Sequence, residues 1–378
     1  MSIRLGLFYP NTACMQVKSR AIAAENMDIM DFDTHRQVAQ AAEKIGLDYL
    51  FMADHWGSRG THTRHSGVGD PILFAPMISM HLLASTKHIG VISTVHTSWF
   101  HPVAIARMGA TLDQLSKGRW GINMVTGNGG GYGLISNDFD KLDHDERYAM
   151  ASEVVEVVTQ AWSQEKIDFN GKYFTINGEL LGPRSYRQPR PLIVSAGASG
   201  PGREFAGHYA DYIFMPGQMA DAELRTRMND MRAISHKHGR PENAIKMQIH
   251  ASIIVRETHE EAKAVEAEFL EKIDPEIVAE YITAWRGISL TYKEVHEALA
   301  GKDYREMGLV AGARKMHGSA EEVADQIEYL YRELGCQGLA LVLPIWKPEE
   351  IFRIGETVLP LLQKKGIWEH PATRGGGW

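Results

Sequence analysis

Eight short apolar runs recur along the chain, each followed by a polar or glycine-bearing break and then by a stretch with helical spacing. They fall at residues 3–9, 47–53, 89–95, 118–125, 191–196, 212–215, 245–255 and 338–343. Near-continuous apolar runs of this length are what strands buried on both faces require. Between the first two, Val38, Ala41, Ala42 and Ile45 share one face of a helix that Asp33 and Thr34 are placed to cap and that runs to about Lys44. Pro71 and Pro102 are placed to open helices reaching Ser85 and Leu115, and Ser319 with Glu322 forms a capping-box signature for another. Strands alternating with helices in this way predict an α/β fold, a (β/α)8 TIM barrel, as a single domain over residues 1–378. Three segments depart from the pattern. Residues 11–33 and 57–70 are long for strand-to-helix connections and are expected to act as lids. Residues 257–318, rich in charge and helix formers, are expected to form a helical insertion. A hairpin is expected over 167–181, turning at Asn170 and Gly171.

The run at 118–125 carries the most chemistry. Ile122, Met124 and Val125 are apolar, and Asn123 interrupts them. A buried amide left without partners costs roughly 1–3 kcal/mol, so it needs something to bond. The run opens into a glycine-rich loop through Gly133, where the backbone can approach a ligand closely. Other strands also end in polar residues: Asp54 and His55 after the second, Thr94 and His96 in the third, Ser199 after the fifth. Ser199 lies in a second glycine-rich loop, residues 197–202, ahead of a helix. That arrangement suits a phosphate, although neither the P-loop nor the GxGxxG spacing is present. Each feature alone also reads as a capped turn, a core amide or a structural histidine. In a barrel, however, all four strand ends share one rim, and the coincidence favours a site. Arg147, near the start of a helix at about 146–162, is opposed by the helix dipole and is either idle or held by an anion.

Composition narrows the function. A net charge of -7 with no basic run speaks against nucleic acid. Cys14 and Cys336 are far apart and form no CxxC, which fits a reducing cytoplasm. There is no run of about 18 apolar residues, and the chain enters its first strand at once; neither a membrane span nor a signal peptide is expected. His62 and His65 have metal-like spacing but no carboxylate–histidine set to complete a site, so no metal is expected.

With these residues in place, the sequence resembles the bacterial-luciferase-like flavin family, and within it the FMN-dependent two-component pyrimidine, dimethylsulfone and alkanesulfonate monooxygenases. The resemblance rests on Ala104, Arg107, Met108, Ala110, Thr111, Asp113, Leu115, Ser116, Gly118 and Arg119, and on Asn123, Val125, Thr126 and Gly127. Arg147-Tyr148, the run from Ser195 through Ala198 to Ser199, and Tyr209-Ala210-Asp211 add to it. It implies that Asn123 contacts a flavin ring and, with Thr94, frames the pocket where oxygen meets the reduced ring. It implies that Arg147, Tyr148, Ser199 and the Gly200 backbone hold the phosphate, with Tyr132, Ala196 and Gly197 also lining the cofactor. Asp54 and His55 match ring-contact positions, but the pyrimidine enzymes carry other residue types there. The 128–133 loop also departs, being glycine-rich where those enzymes are bulkier, which points to a different substrate or a more mobile lid. His96 or His101 is placed to act as acid or base.

The resemblance implies an oxygenation of a small nitrogen- or sulfur-containing compound by O2, often with C–N or C–S cleavage. The cofactor is reduced FMN, supplied by a separate NAD(P)H flavin reductase. A homodimer or homotetramer built on the helices at 71–85 and 102–115 is expected. The rivals are deazaflavin (F420)-dependent hydride transfer on the same barrel, a flavin-binding protein without turnover, and a metal-dependent hydrolase barrel. The last usually shows HxH after its first strand, where this chain reads Tyr9-Pro10-Asn11-Thr12.

Overall fold

Tight pairing of buried strands sets the architecture. In the computed structural model, residues 2–127, 142–197, 199–241, 243–288 and 303–374 are described. The strands are β1 (Arg4–Phe8), β2 (Tyr49–Met52), β3 (Gly90–His96), β4 (Trp120–Val125), β5 (Lys166–Asn170), β6 (Thr175–Glu179), β7 (Leu192–Ser195), β8 (Tyr212–Met215), β9 (Lys246–Arg256), β10 (Arg314–Ser319) and β11 (Cys336–Val342). β11, β1, β2, β3, β4, β7, β8 and β9 pair in that order, all parallel, and β9 closes on β11. The eight apolar runs are the eight barrel strands. β5 and β6 form the expected antiparallel hairpin outside the barrel.

The barrel interior is plugged by aromatic rings. Phe8, Phe51 and Phe214 meet at centroid distances of 5.0–5.6 Å. Ile92 belongs to the same cluster. Two residues further along β3 stands Thr94, paired in register with Asn123 of β4. The register therefore lifts Thr94 and Asn123 one layer above the plug, toward the C-terminal rim.

Residues that carry the family resemblance brace the outside of β4. Arg119 donates to the carbonyls of Leu83, Thr86, Ile89 and Ser116. Buried Asp113, on the helix Pro102–Ser116, accepts from the Ser185 hydroxyl and from the Arg187 backbone N–H at 2.9 Å. These contacts tie two helix ends and a loop to one strand.

Three element boundaries differ from expectation. The helix expected from Pro71 begins at Ala75, with Pro76 in its first turn. Residues before it are pulled into the chain instead: the Leu73 N–H donates to the Asn11 carbonyl, and the Asn11 amide donates to the Leu73 carbonyl. The helix expected to be capped by Asp33 and Thr34 spans Phe32–Lys44, and Asp31 caps it by accepting from both of them. Within 257–318 lie the helices His259–Glu271, Pro275–Ile288 and Tyr304–Val310, but also β10. β10 extends the sheet along the second half of β9, beyond the last β8 pairing. Its residues are mostly polar, with Met316 the one large apolar side chain buried, so it gave no strand signal.

The segment 11–33 is packed rather than open. It contains the helix Arg20–Glu25, and Cys14, Val17 and Ile22 are buried against Ile273, Ile277 and Leu309.

Candidate active site

The centre of the rim is a hydrogen-bonded pair. The Thr94 hydroxyl donates to the Met52 carbonyl at 2.7 Å and accepts from the Asn123 amide at 2.8 Å. Thr94 thereby fixes the amide's orientation. Asn123 Oδ1 is left buried with no hydrogen-bond partner among the described residues.

His96 lies one β3 layer further out. Its Nε2 is 3.3 Å from the Asp54 carbonyl. A carbonyl can only accept, so Nε2 carries the proton and Nδ1 carries a lone pair. Nδ1 is buried and has no partner among the described residues. Burial pushes the ring's pKa down to about 4, so it is neutral at pH 7. Asn123 and His96 thus present two unmet acceptors, a set that fits N–H or O–H donors of a bound group. His96 stacks on Trp99 with centroids 4.5 Å apart. Trp99 meets Trp56, which meets Phe74 and Phe100, and these rings form an apolar wall beside the pair.

Asp54 and His55 sit at the end of β2 with structural bonds. The Asp54 carboxylate accepts from the Ala75 N–H at 3.2 Å and so caps that helix from outside. Burial pushes its pKa up to about 7. His55 Nε2 donates to the Gly69 carbonyl at 3.0 Å, and burial, followed by the Arg59 charge, holds the ring's pKa well down. His101 is exposed and caps the helix Pro102–Ser116, with Nδ1 accepting from the Val103 N–H. His62 and His65 are exposed on the 57–70 segment.

A second cluster gathers from three elements. Tyr148, on the helix His144–Ser163, comes close to Thr126 after β4 and to Ser199 after β7; burial raises its pKa, and these neighbours act against that rise. Ser199 caps the helix Gly200–Tyr209, accepting from the Gly202 N–H. Gly197 has to be a glycine here: a Cβ would come within 2.7 Å of the Tyr148 hydroxyl and 2.8 Å of the Gly202 Cα. Gly127, at φ +74°, makes the left-handed turn out of β4. Arg147 donates to the Leu142 carbonyl, and its Nε is buried without a partner among the described residues. A hydroxyl, a helix N-terminus and a guanidinium with an unmet donor suit a phosphate. Gly200 and Ala196 are exposed beside this cluster. Tyr132, the 128–133 loop and Ala198 lie outside the described residues.

The structure thus brings Thr94, His96 and Asn123 together, and separately Arg147, Tyr148, Gly197, Ser199 and Gly200. Sequence reasoning missed the aromatic wall. Trp56 and Trp99 follow the polar strand ends directly, and that adjacency was the available signal.

A parallel barrel with a polar rim and an adjoining phosphate-type cradle defines the class: an α/β-barrel enzyme with its site at the strand C-termini. The chain belongs to the luciferase-like monooxygenase family, whose model matches residues 3–338. An FMNH2-dependent dimethylsulfone monooxygenase of Pseudomonas putida is 28% identical over 96% of this chain and 96% of its own length. A long-chain alkane monooxygenase of Geobacillus thermodenitrificans (strain NG80-2) is 30% identical over 89% of this chain and 84% of its own. A crystal structure of a long-chain alkane monooxygenase superposes with a TM-score of 0.85, at 27% identity, over 98% of this chain and 93% of that one.

Proposed function

We propose that this chain is a two-component flavin-dependent monooxygenase that takes reduced FMN from a separate NAD(P)H flavin reductase and uses O2 to oxygenate a small nitrogen- or sulfur-containing compound. Reduced FMN supplies the electrons that activate oxygen. The observation that carries the reading is the pair of buried, unmet acceptors, Asn123 Oδ1 and His96 Nδ1, at the rim of a luciferase-like barrel.

Each group then has a task that its geometry supports. Asn123, oriented by Thr94, accepts from a ring N–H. His96 is neutral and already oriented by the Asp54 carbonyl, so it accepts a hydrogen bond without carrying a competing charge. Tyr148, Ser199, Arg147 and the N–H groups opening the helix at Gly200 hold the phosphate. Trp56, Trp99, Phe74 and Phe100 keep water from the reacting centre, where oxygen activation requires a dry pocket. Dimethylsulfone, named for the Pseudomonas relative, sets the size and heteroatom class of substrate expected.

The chain works in the cytoplasm as a homodimer or homotetramer. Among the described residues no helix is long and apolar enough to cross a membrane. Met77 and Leu115, on the two helices expected at the interface, are 72% and 69% exposed, which supports subunit contact there. The test is oxygen consumption with reduced FMN and a series of sulfones, sulfonates and cyclic amides, with 18O2 label followed into product. Label in a product supports the reading; reduced FMN oxidised with no labelled product from any member contradicts it.

A further inference from the structure

Beside the rim, residues 55–72 enclose a cleft of about 350 Å3 that the reading above leaves unused. Arg59 lines it. The guanidinium lies over the Tyr281 ring, 4.2 Å from the centroid, and Lys18 Nζ lies 3.5 Å from the same centroid. Arg59 Nε and Nη1 are buried with no hydrogen-bond partner among the described residues. Lys18, fully buried, is bonded to the Met15 carbonyl at 2.6 Å.

Two carboxylates stand in this region, Asp70 lining the cleft itself, and both bond backbone N–H groups of the 62–65 turn rather than Arg59. Glu280 accepts from the backbone N–H groups of His62 and Thr63, both at 2.8 Å. Asp70 accepts from the His65 N–H at 2.7 Å. Among the described residues, no carboxylate is within ion-pair distance of Arg59. Arginine keeps its charge, so a half-buried guanidinium with two buried, unmet donors suits an anion. The cleft also adjoins the rim. His55 lines it, is one residue from Asp54, and feels the Arg59 charge. Trp56 lines the cleft and belongs to the aromatic wall. The cleft therefore shares Trp56 with the wall of rings that ends on His96.

We propose that this cleft binds the anionic end of the substrate, an organic oxyanion such as a carboxylate, sulfinate or sulfonate, with Arg59 as its counter-ion. The proposal rests on the monooxygenase reading for the word substrate, but the binding site stands on the cleft itself. It narrows the substrate class to compounds carrying one anionic group at a distance from the oxygenated atom. The phosphate cradle at Tyr148 and Ser199 lies at the ends of β4 and β7, whereas this cleft lies after β2, so the two anion sites are distinct.

The test is calorimetric titration of the full-length protein with methanesulfonate and, separately, with its neutral near-isostere dimethyl sulfone. It is run both without flavin and saturated with reduced FMN under anaerobic conditions. Wild type is expected to bind methanesulfonate at least tenfold more tightly than dimethyl sulfone. Arg59→Met is expected to lose roughly ten- to hundredfold in methanesulfonate affinity, and Arg59→Lys to recover part of it. Thermal melting verifies that each variant is folded, and the wild-type comparison of the two isosteres decides the matter even if Arg59→Met is not. Equal binding of the two isosteres, or methanesulfonate affinity unchanged in folded Arg59→Met, overturns the proposal. If methanesulfonate binds through Arg59 while reduced FMN does not bind at all, the anion site stands and the monooxygenase reading falls. If reduced FMN binds and methanesulfonate does not, the reverse holds.

Discussion

Thr94 has one hydroxyl proton and spends it on the Met52 carbonyl, so it can only accept from Asn123. That single constraint turns the Asn123 carbonyl oxygen away from its own neighbours and leaves it for a ligand. Replacing Asn123 with Leu is expected to weaken reduced-FMN binding about tenfold in an anaerobic titration, the loss of one buried hydrogen bond. Thr94→Val is expected to give a smaller loss, because the amide stays but is no longer oriented. His96 makes a pH prediction. Its pKa is about 4 in the folded chain against 6.5 for a free side chain. Between those values the unfolded chain binds more protons, so stability is full above pH 6.5 and falls as the pH drops toward 4. His96→Gln removes this titration, and its unfolding free energy in urea titrations is expected to fall less than that of wild type over that window, by up to about 3 kcal/mol at pH 4. Asp54, pushed up to about 7, titrates in both proteins and cancels in the difference. Asn123, Thr94 and His96 were legible in the sequence because a polar residue in a buried strand is conspicuous. Arg59 and Lys18 were not. They lie in irregular connections, where no periodicity says which side chains turn inward.

At the level of elements, helix ends carry more of the site than helix faces do. Ser199 caps one helix and Asp143 another through a capping box, and the Asp54 carboxylate caps a third from a neighbouring strand. Ser199 and Asp54 thus each close a helix while standing just beyond the C-terminal end of a barrel strand. The barrel strands were legible because each is a short apolar run. β10 was not, because it pairs along only one half of β9 and buries little. The helix start at Ala75 was misread because two prolines five residues apart offer the same signal, and the choice depends on Asn11 bonding Leu73 from across the fold. Arg119 illustrates a motif whose work is structural. Arg119→Ala leaves four carbonyls without their donor and is expected to lower stability by about 2–3 kcal/mol in urea unfolding, while the folded fraction keeps its affinity for reduced FMN.

Over the whole molecule, the two long connections expected to behave alike are built differently. Residues 12–23 carry buried Thr12, Cys14, Val17 and Ile22, whereas Ser58, Thr61, Arg64 and His65 are exposed. Amide exchange is expected to be faster over 58–66 than over 12–23, and the opposite order would contradict this account of packing. Subunit association is predicted from exposed apolar side chains. Met77→Lys with Leu115→Lys is expected to shift sedimentation at micromolar concentration toward monomer, and a wild-type chain already monomeric there would remove the basis for the interface.

The measurement that reaches the central claim most directly is an anaerobic titration of reduced FMN into wild type and into Asn123→Leu. The account predicts saturable binding by wild type and about tenfold weaker binding by the variant. Absence of reduced-FMN binding by wild type, or equal affinity in the two proteins, would contradict the assignment of the Asn123–Thr94 pair as the seat of the flavin ring.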